Sequence, residues 1–553
     1  MIGRAAPFLI VVVAAAMRLY GLTAVGMNSD EAVYSGQAAS IAGDAVLTPF
    51  FPIFRAHPLL VQTTLALAFN IDGSDTVARL TATIIGLATI VLVYMLGSLL
   101  YGRRVGLVAA LFMAVMPYHV IVTRQFLLDG PLTLLTTLTL YCLARFGKGN
   151  SYAWLYAAGA VLGLAFLSKE TAIVFIAATY AFLALVPELF VRLRHLAIAM
   201  LTMGLVIACF PLSLALAGGG GASTAQQYFV WQLLRRPNHD LLFYPTVVPQ
   251  AVGLLLLLVA LVSLWVFRSS ADWRLRLLLA WVFVPVTFFE LWPTKGFQYL
   301  LPAAPVVAIL AARLLVEWRP RRVPEAPRWV PKVVRQPRSL AVLIVAVSLA
   351  VQSAFTILGP PAGQVLAGGG GVSGGREAGQ WIDTNLPPSA QLMTIGPSMG
   401  NILQFYGHRT ARALSVSPDP LKRNPSYAPI RNADLSVRTG EFRYLVWDAF
   451  SAARTSHFSD KLMELVRRYD GRLVHVQSLS GAASGTTIGT PIIQIYEVQP
   501  AGPASLAAPQ AAATPDRLPV RREFIYASYA LAVVIAAATI LKAALGSIRV
   551  GRR

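Results

Sequence analysis

Apolar runs near the length that spans a bilayer recur from one end of this chain to the other, and that succession constrains its fold more than any other feature. A spanning helix takes roughly 20 apolar residues. Such runs lie near 5–25, 77–100, 105–122, 129–146, 152–168, 171–191, 196–217, 246–267, 275–292, 297–316, 339–358 and 524–547, the run 152–168 being short enough to be half-buried. Of the 553 residues, 56% are hydrophobic and only 13% charged, where a soluble domain carries about a quarter charged residues. No single core could hide this much apolar surface. An ordinary soluble enzyme and a disordered chain are both excluded.

The net charge of +21 suggests nucleic acid until its placement is considered. Basic residues cluster between apolar runs: Arg103 and Arg104; Arg192, Arg194 and His195; Arg268, Arg274 and Arg276; Arg319 to Arg338; and Arg549, Arg552 and Arg553. Positive charge marks cytoplasmic loops in this way. With the N-terminus inside, twelve spans put every cluster and both termini on the cytoplasmic side. No nucleic-acid-binding motif accompanies the charge. Cys142 and Cys209 sit inside apolar runs, away from any disulfide or zinc pattern. No small-residue cleavage site precedes Met27-Asn28-Ser29-Asp30-Glu31, so the first run is expected to stay as a helix.

The expected organisation is a transmembrane module over 1–358, an extracytoplasmic domain over 359–522, and a last helix with a cytoplasmic tail over 523–553. The module carries two long outer loops, 26–76 and 218–245. Glycines at 368–371 and 374–375 make the entry to the domain flexible. Helical pattern over 376–384 and 458–469 alternates with strand pattern over 391–395, 442–447, 473–477 and 492–498, which predicts a small α/β domain. An Ala- and Pro-rich stretch, 501–515, tethers it to the last helix. The fold class is therefore a polytopic α-helical membrane protein with a C-terminal extracytoplasmic α/β domain.

Charged groups at membrane depth are costly, and each is a functional candidate. Asp30 and Glu31 stand at the outer end of the first helix, where adjacent carboxylates against apolar surface can supply a general base. The structural alternative is that Asp30 caps the short helix 31–42. Asp129, two residues before Pro131, likewise reads as a helix cap or as a group that helps to bind a metal or orients an acceptor. On the same face lie Arg55, His57, Arg79, Arg124, Lys169, Arg235, Arg236, His239 and Lys295. Singly, such cations snorkel toward headgroups; together they would hold a phosphate-bearing lipid.

In this order the residues resemble the GT-C membrane glycosyltransferases, in the branch of the lipid A aminoarabinose transferases and protein O-mannosyltransferases. The resemblance covers about residues 5–320. It rests on Asp30-Glu31 after the first helix, His57-Pro58, Arg79, Leu128-Asp129-Gly130-Pro131 and Ser168-Lys169. Tyr228, Trp231, Arg235, His239 and Tyr244 follow, then Lys295, Tyr299, Leu300 and Pro302. The sequence departs from the aminoarabinose transferases at His57, where they have Lys, and at Glu170, where they have Gly.

The resemblance implies a GT-C fold and an inverting transfer of a monosaccharide from polyprenyl phosphate, on the outer face of the cell membrane. The acceptor would be a hydroxyl on a glycolipid such as lipid A, a cell-envelope glycan or a protein. Asp30 would take the acceptor's proton, with Glu31 and Asp129 as further catalytic carboxylates. Lys169, Arg55, His57, Arg79, Tyr244, Lys295 and Tyr299 would bind the donor phosphate and carrier. A divalent ion (magnesium, manganese or zinc), as some relatives hold, would draw on Glu31, His57 and His239; no nucleotide or organic cofactor is implied. The rival reading is a lipid or sugar transporter or flippase without transferase activity, although no motif recurs as the repeats of transporters do. A third is a membrane-anchored binding protein working through 359–522.

Overall fold

A computed structural model describes residues 2–149, 151–218, 221–235, 237–270, 272–318, 337–359, 372–478, 491–500 and 520–550. The glycine run 368–371, the tether 501–515 and most of the basic stretch 319–338 lie outside the described residues. The first half is a succession of helices: α1 (Ile2–Leu19), α2 (Ser29–Ala42), α3 (Leu60–Phe69), α4 (Asp75–Tyr101), α5 (Arg103–Val115), α6 (Pro117–Val122), α7 (Asp129–Gly149) and α8 (Tyr152–Ser168). Among the described residues five helices are long and apolar enough to cross a membrane, six if one bent pair counts as a single span.

That count is smaller than the number of apolar runs, and the breaks have local causes. The run 105–122 divides at Met116, because Pro117 lacks the N–H that would continue α5 and instead opens α6. The run 246–267 divides at Gly253, whose φ of +93° turns Phe243–Val252 by 100° from Leu254–Phe267. The first run stops at Leu19, and the Arg124 guanidinium donates to the carbonyls of Met17, Arg18, Tyr20 and Gly21, satisfying the end of α1.

The segment 26–76 folds into α2 and α3, which pack on each other. Residues Glu31 to Ile41 of α2 are all buried, an unusual state for a short polar helix. Small residues permit it: a Cβ at Gly36 would lie 2.3 Å from the Phe51 ring, so only glycine lets that ring seat against the helix.

Beyond the membrane helices, β1 (Gln391–Thr394), β2 (Thr410–Ala413), β3 (Tyr444–Asp448), β4 (Arg472–Ser478) and β5 (Pro491–Glu497) form one sheet in the order β2-β1-β3-β5-β4. β1 pairs in parallel with β2 and β3, while β5 runs antiparallel to β3 and β4. Helices Gly375–Asn385 and Pro397–Gly407 cover one face and Ser456–Arg468 the other, each burying a separate apolar cluster. Pro397–Gly407 also lies against α2. There Tyr406 donates its hydroxyl to Asp75 and accepts from the Met27 N–H, and Arg376 donates to Asp75 and to the Thr23 carbonyl. The sheet unit is thus seated on the segment that follows α1 and on the N-terminal ends of α2 and α4.

Candidate active site

Between this unit and the helices lies a cavity of about 920 Å³, and Asp30 stands in its wall. Asp30 is the second residue of α2. Its N-cap is Asn28, whose side chain accepts the Asp30 and Glu31 N–H groups, so Asp30 is not the cap that the sequence also allowed. Because the backbone is satisfied elsewhere, the Asp30 carboxylate faces the cavity with no hydrogen-bond or ion-pair partner among the described residues. Its side chain is open to the cavity, and the protein walls around it displace enough water to raise its pKa above the ordinary carboxylate value, outweighing the nearby charges of Lys169 and His57.

Glu31, its chain neighbour, has the opposite environment and corrects an expectation. One of its oxygens accepts the Asn28 N–H, completing a capping box, and the other accepts the Phe126 N–H. Both also take a two-pronged contact from Arg79 at 2.9 Å. Arg79 donates further to the Leu22, Val25 and Gly26 carbonyls. Both side chains are fully buried and neither lines the cavity. Glu31 is committed to holding α2, α4, the segment 22–26 and the 124–128 turn together, a structural use in place of the expected catalytic or metal-binding one. Arg79 is likewise unavailable to a phosphate.

Lys169 does reach the cavity wall. It stands just past the C-terminus of α8, and its ammonium donates to both carboxylate oxygens of Asp129, at 2.8 and 2.9 Å. It also lies 4.7 Å from the centre of the Tyr299 ring, another wall residue. Burial alone would lower the Lys169 pKa, but Asp129 and its neighbours hold it above the ordinary value, so the ammonium stays charged. Asp129 opens α7 behind this ammonium and does not line the cavity; it positions Lys169 instead of meeting a ligand itself.

His57 lines the cavity through an Nδ1 contact of 2.7 Å with Glu170, its ring edge-on to Tyr34 and Tyr228. Burial would raise the Glu170 carboxyl, yet the His57 charge and hydrogen bond hold it below its usual value. The two departures from the aminoarabinose pattern are therefore one coupled pair. Arg55 lies 5.0 Å over the Tyr427 ring and reaches Asn401 at 3.5 Å. Lys295 is on the wall, but its ammonium binds the Phe289 and Glu290 carbonyls at the end of the helix Trp273–Leu291, a helix-capping use. Tyr244 lies outside the wall, its hydroxyl hydrogen-bonded to Gly296.

His239 is exposed and stacked on Phe243 at 4.1 Å, and it does not line the cavity. With Glu31 locked inside the fold and His57 paired to Glu170, the three proposed metal ligands do not converge. Among the described residues no group of three or more His, Cys, Asp and Glu could hold an ion. The donor set does not fit a metal.

The residues that sequence reasoning missed come from the sheet unit: Ser398, Ser415, Ser417, Lys422, Arg423, Asn424, Tyr427 and Arg454 all line the same cavity as Asp30. Their signal was weak, because they lie in loops or at the ends of short helices of ordinary polar composition. The strand order carried it. The chain leaves β1, β2 and β3 at the carboxyl ends of parallel strands, where α/β sheets bind ligands.

The family model described as dolichyl-phosphate-mannose-protein mannosyltransferase matches residues 56–214. No curated protein sequence gives a match. Among solved structures, the chain is similar to ArnT from Cupriavidus metallidurans in the apo state, at 16% identity and a TM-score of 0.65, covering 91% of this chain and 99% of that one. ArnT bound to undecaprenyl phosphate gives a TM-score of 0.63 at 15% identity, over 90% of this chain and 99% of that one. The oligosaccharyltransferase of Archaeoglobus fulgidus gives 0.56 at 14% identity, over 89% of this chain and 76% of that one. The resemblance drawn from the order of the motifs thus holds, and the fold of this chain is that of the GT-C membrane glycosyltransferases.

Proposed function

We propose that the chain is an inverting glycosyltransferase that moves a monosaccharide from polyprenyl phosphate to an acceptor hydroxyl on the outer face of the membrane. One observation carries the reading: Asp30 is an unpartnered carboxylate in a cavity whose other charged wall groups are almost all cations. The ArnT complex with undecaprenyl phosphate supports a lipid-linked donor. In the proposed step the acceptor oxygen attacks the anomeric carbon as the bond from that carbon to the phosphate oxygen breaks. Configuration inverts, the acceptor proton passes to Asp30, and polyprenyl phosphate departs with its negative charge.

A departing phosphate needs no proton donor if cations face it, because fixed charge in a water-poor site stabilises what develops there. Lys169, Arg55 and Arg235 are assigned that task, with His57 and Glu170 shaping the wall beside them. The helix Gly221–Leu234 brings Tyr228, Trp231 and Gln232 to the cavity, and its displacement would admit the carrier lipid. A complex of the Archaeoglobus oligosaccharyltransferase contains zinc. In this chain the donor set does not converge, so no step is assigned to a metal.

The test is release of free polyprenyl phosphate from a panel of polyprenyl-phosphate sugars, using purified protein in detergent with membrane extract as acceptor. Release by wild type that is lost in Asp30→Asn supports the reading. Silence across the panel by folded protein overturns it in favour of transport.

A further inference from the structure

Charge in the cavity is unevenly matched. His57 is balanced by Glu170, Lys169 by Asp129, and Lys422 by Asp419 at 3.2 Å. Among the described residues no carboxylate lies within ion-pair distance of Arg55, Arg235, Arg423 or Arg454, all four of which line the cavity. Their contacts are to rings and uncharged groups instead: Arg55 over Tyr427, Arg235 over Trp231, Arg454 over Phe450, and Arg423 to the Pro418 carbonyl, while Asp448 acts on Arg454 and Asp419 on Arg423 only from beyond ion-pair distance. Arg55 and Arg235 come from the membrane module. Arg423 and Arg454 come from the sheet unit above it. The one phosphate of a polyprenyl-phosphate sugar does not account for both pairs.

The roof has further features of an anion site. The helix Pro397–Gly407 begins there with Gly396 as its N-cap, and no side chain caps it. Its N-terminal N–H groups and dipole therefore favour negative charge. Ser398, Ser415 and Ser417 line the cavity beside it, supplying hydroxyl donors. These groups sit where the chain leaves β1 and β2, and Arg454 ends the short helix that follows β3.

We propose that this roof is an acceptor subsite, and that the acceptor carries an anionic group, phosphate or carboxylate, near the hydroxyl that Asp30 deprotonates. The inference rests on the transferase reading above and extends it to substrate class. Arg423 and Arg454 hold the anion, the serines and the uncapped helix end complete its hydrogen bonds, and the hydroxyl is presented downward. The sheet unit thereby selects acceptors, while Arg55, Arg235 and Lys169 receive the donor phosphate.

The experiment measures transfer from the active polyprenyl-phosphate sugar to three portions of one membrane extract: untreated, stripped of phosphate, and with carboxylates amidated. Transfer at least 10-fold lower in one treated portion is expected, and which portion fails identifies the anion. The double variant Arg423→Gln/Arg454→Gln should raise the half-saturating amount of untreated extract about 10-fold while leaving the donor KM within twofold. The charge-keeping pair Arg423→Lys/Arg454→Lys should recover most of the loss, which a folding defect would not allow. Equal transfer to all three portions, or a shift in donor KM in place of acceptor dependence, overturns the proposal. Release of polyprenyl phosphate without any acceptor is followed in parallel. Donor consumption with indifferent acceptors refutes the subsite alone, whereas no consumption in any arm refutes the transferase reading and the subsite with it.

Discussion

Asp30 and Glu31 are adjacent in sequence and opposite in fate, and the cap register separates them. Asn28-x-x-Glu31 is a capping-box spacing, legible in the sequence, which places Glu31 at the third helical position and turns Asp30 outward. What the sequence concealed was Arg79, 48 residues away, which closes on Glu31 only in the fold. Asp30→Asn should therefore lower turnover about 10²- to 10⁴-fold, the range for losing a general base. Asp30 titrates above its unfolded value, so its ionisation costs stability once the pH exceeds the unfolded value, and in full above the folded one. Asp30→Asn should accordingly melt at or above the wild-type temperature near neutral pH, with the gap narrowing as pH falls through the folded-state pKa. The acid limb of the wild-type rate profile should reach higher pH than an ordinary carboxylate would give. Glu31→Gln should behave differently, leaving the Arg79 charge buried and unpaired at a cost of about 3–5 kcal/mol. Thermal unfolding in detergent decides between them; a well-folded, inactive Glu31→Gln would return Glu31 to catalysis.

Helix ends, more than helix bodies, build the site. Lys169 follows the last turn of α8 in extended conformation and Asp129 opens α7, so two termini meet at one ion pair. The runs that formed these helices were legible as apolar stretches. Where each run breaks was legible only in part: Pro117 marks its break openly, whereas the 100° bend at Gly253 needs a backbone conformation that the letter Gly permits without dictating. The pairing of Asp129 with Lys169 lay beyond sequence, because a helix start near a proline is an equally good cap. That pairing has a measurable consequence. Burial pulls the Lys169 pKa down and Asp129 is the largest of the influences that hold it up. Asp129→Asn should therefore move the alkaline limb of the kcat profile to lower pH, while keeping substantial activity where the ammonium is still protonated. Lys169→Gln should lose activity across the whole range and show no such limb. An unmoved limb in Asp129→Asn would mean that another group titrates there.

For the molecule as a whole, the cavity exists because the sheet unit is held down on the membrane helices. The alternation of helix and strand over 376–498 predicted such a unit, but a domain read as tethered by flexible segments gave no sign of its docking. The latch is compact: Asp75 at the start of α4 receives Arg376 and Tyr406, Arg376 reaches the Thr23 carbonyl, and Asn401 donates to Ser29, the residue before Asp30. Arg376 and Asp75 are 19% and 15% exposed. Their charged hydrogen bonds should thus exceed a surface ion pair and contribute about 1.5–3 kcal/mol to docking. The effect of Arg376→Ala should be local, since this residue lies at the rim of the sheet unit and apart from the clusters that hold the sheet together. Hydrogen exchange should show faster amides in 26–32 and 397–403 while β1, β3 and β5 keep their protection. Acceptor dependence should weaken in parallel, because Arg423 and Arg454 would no longer stand at a fixed height over Asp30, and donor KM should change less. Uniform loss of protection through the sheet would show instead that the unit depends on the membrane helices to fold. In that case the roof and the site beneath it are one cooperative structure, and acceptor selection could not be altered without altering stability.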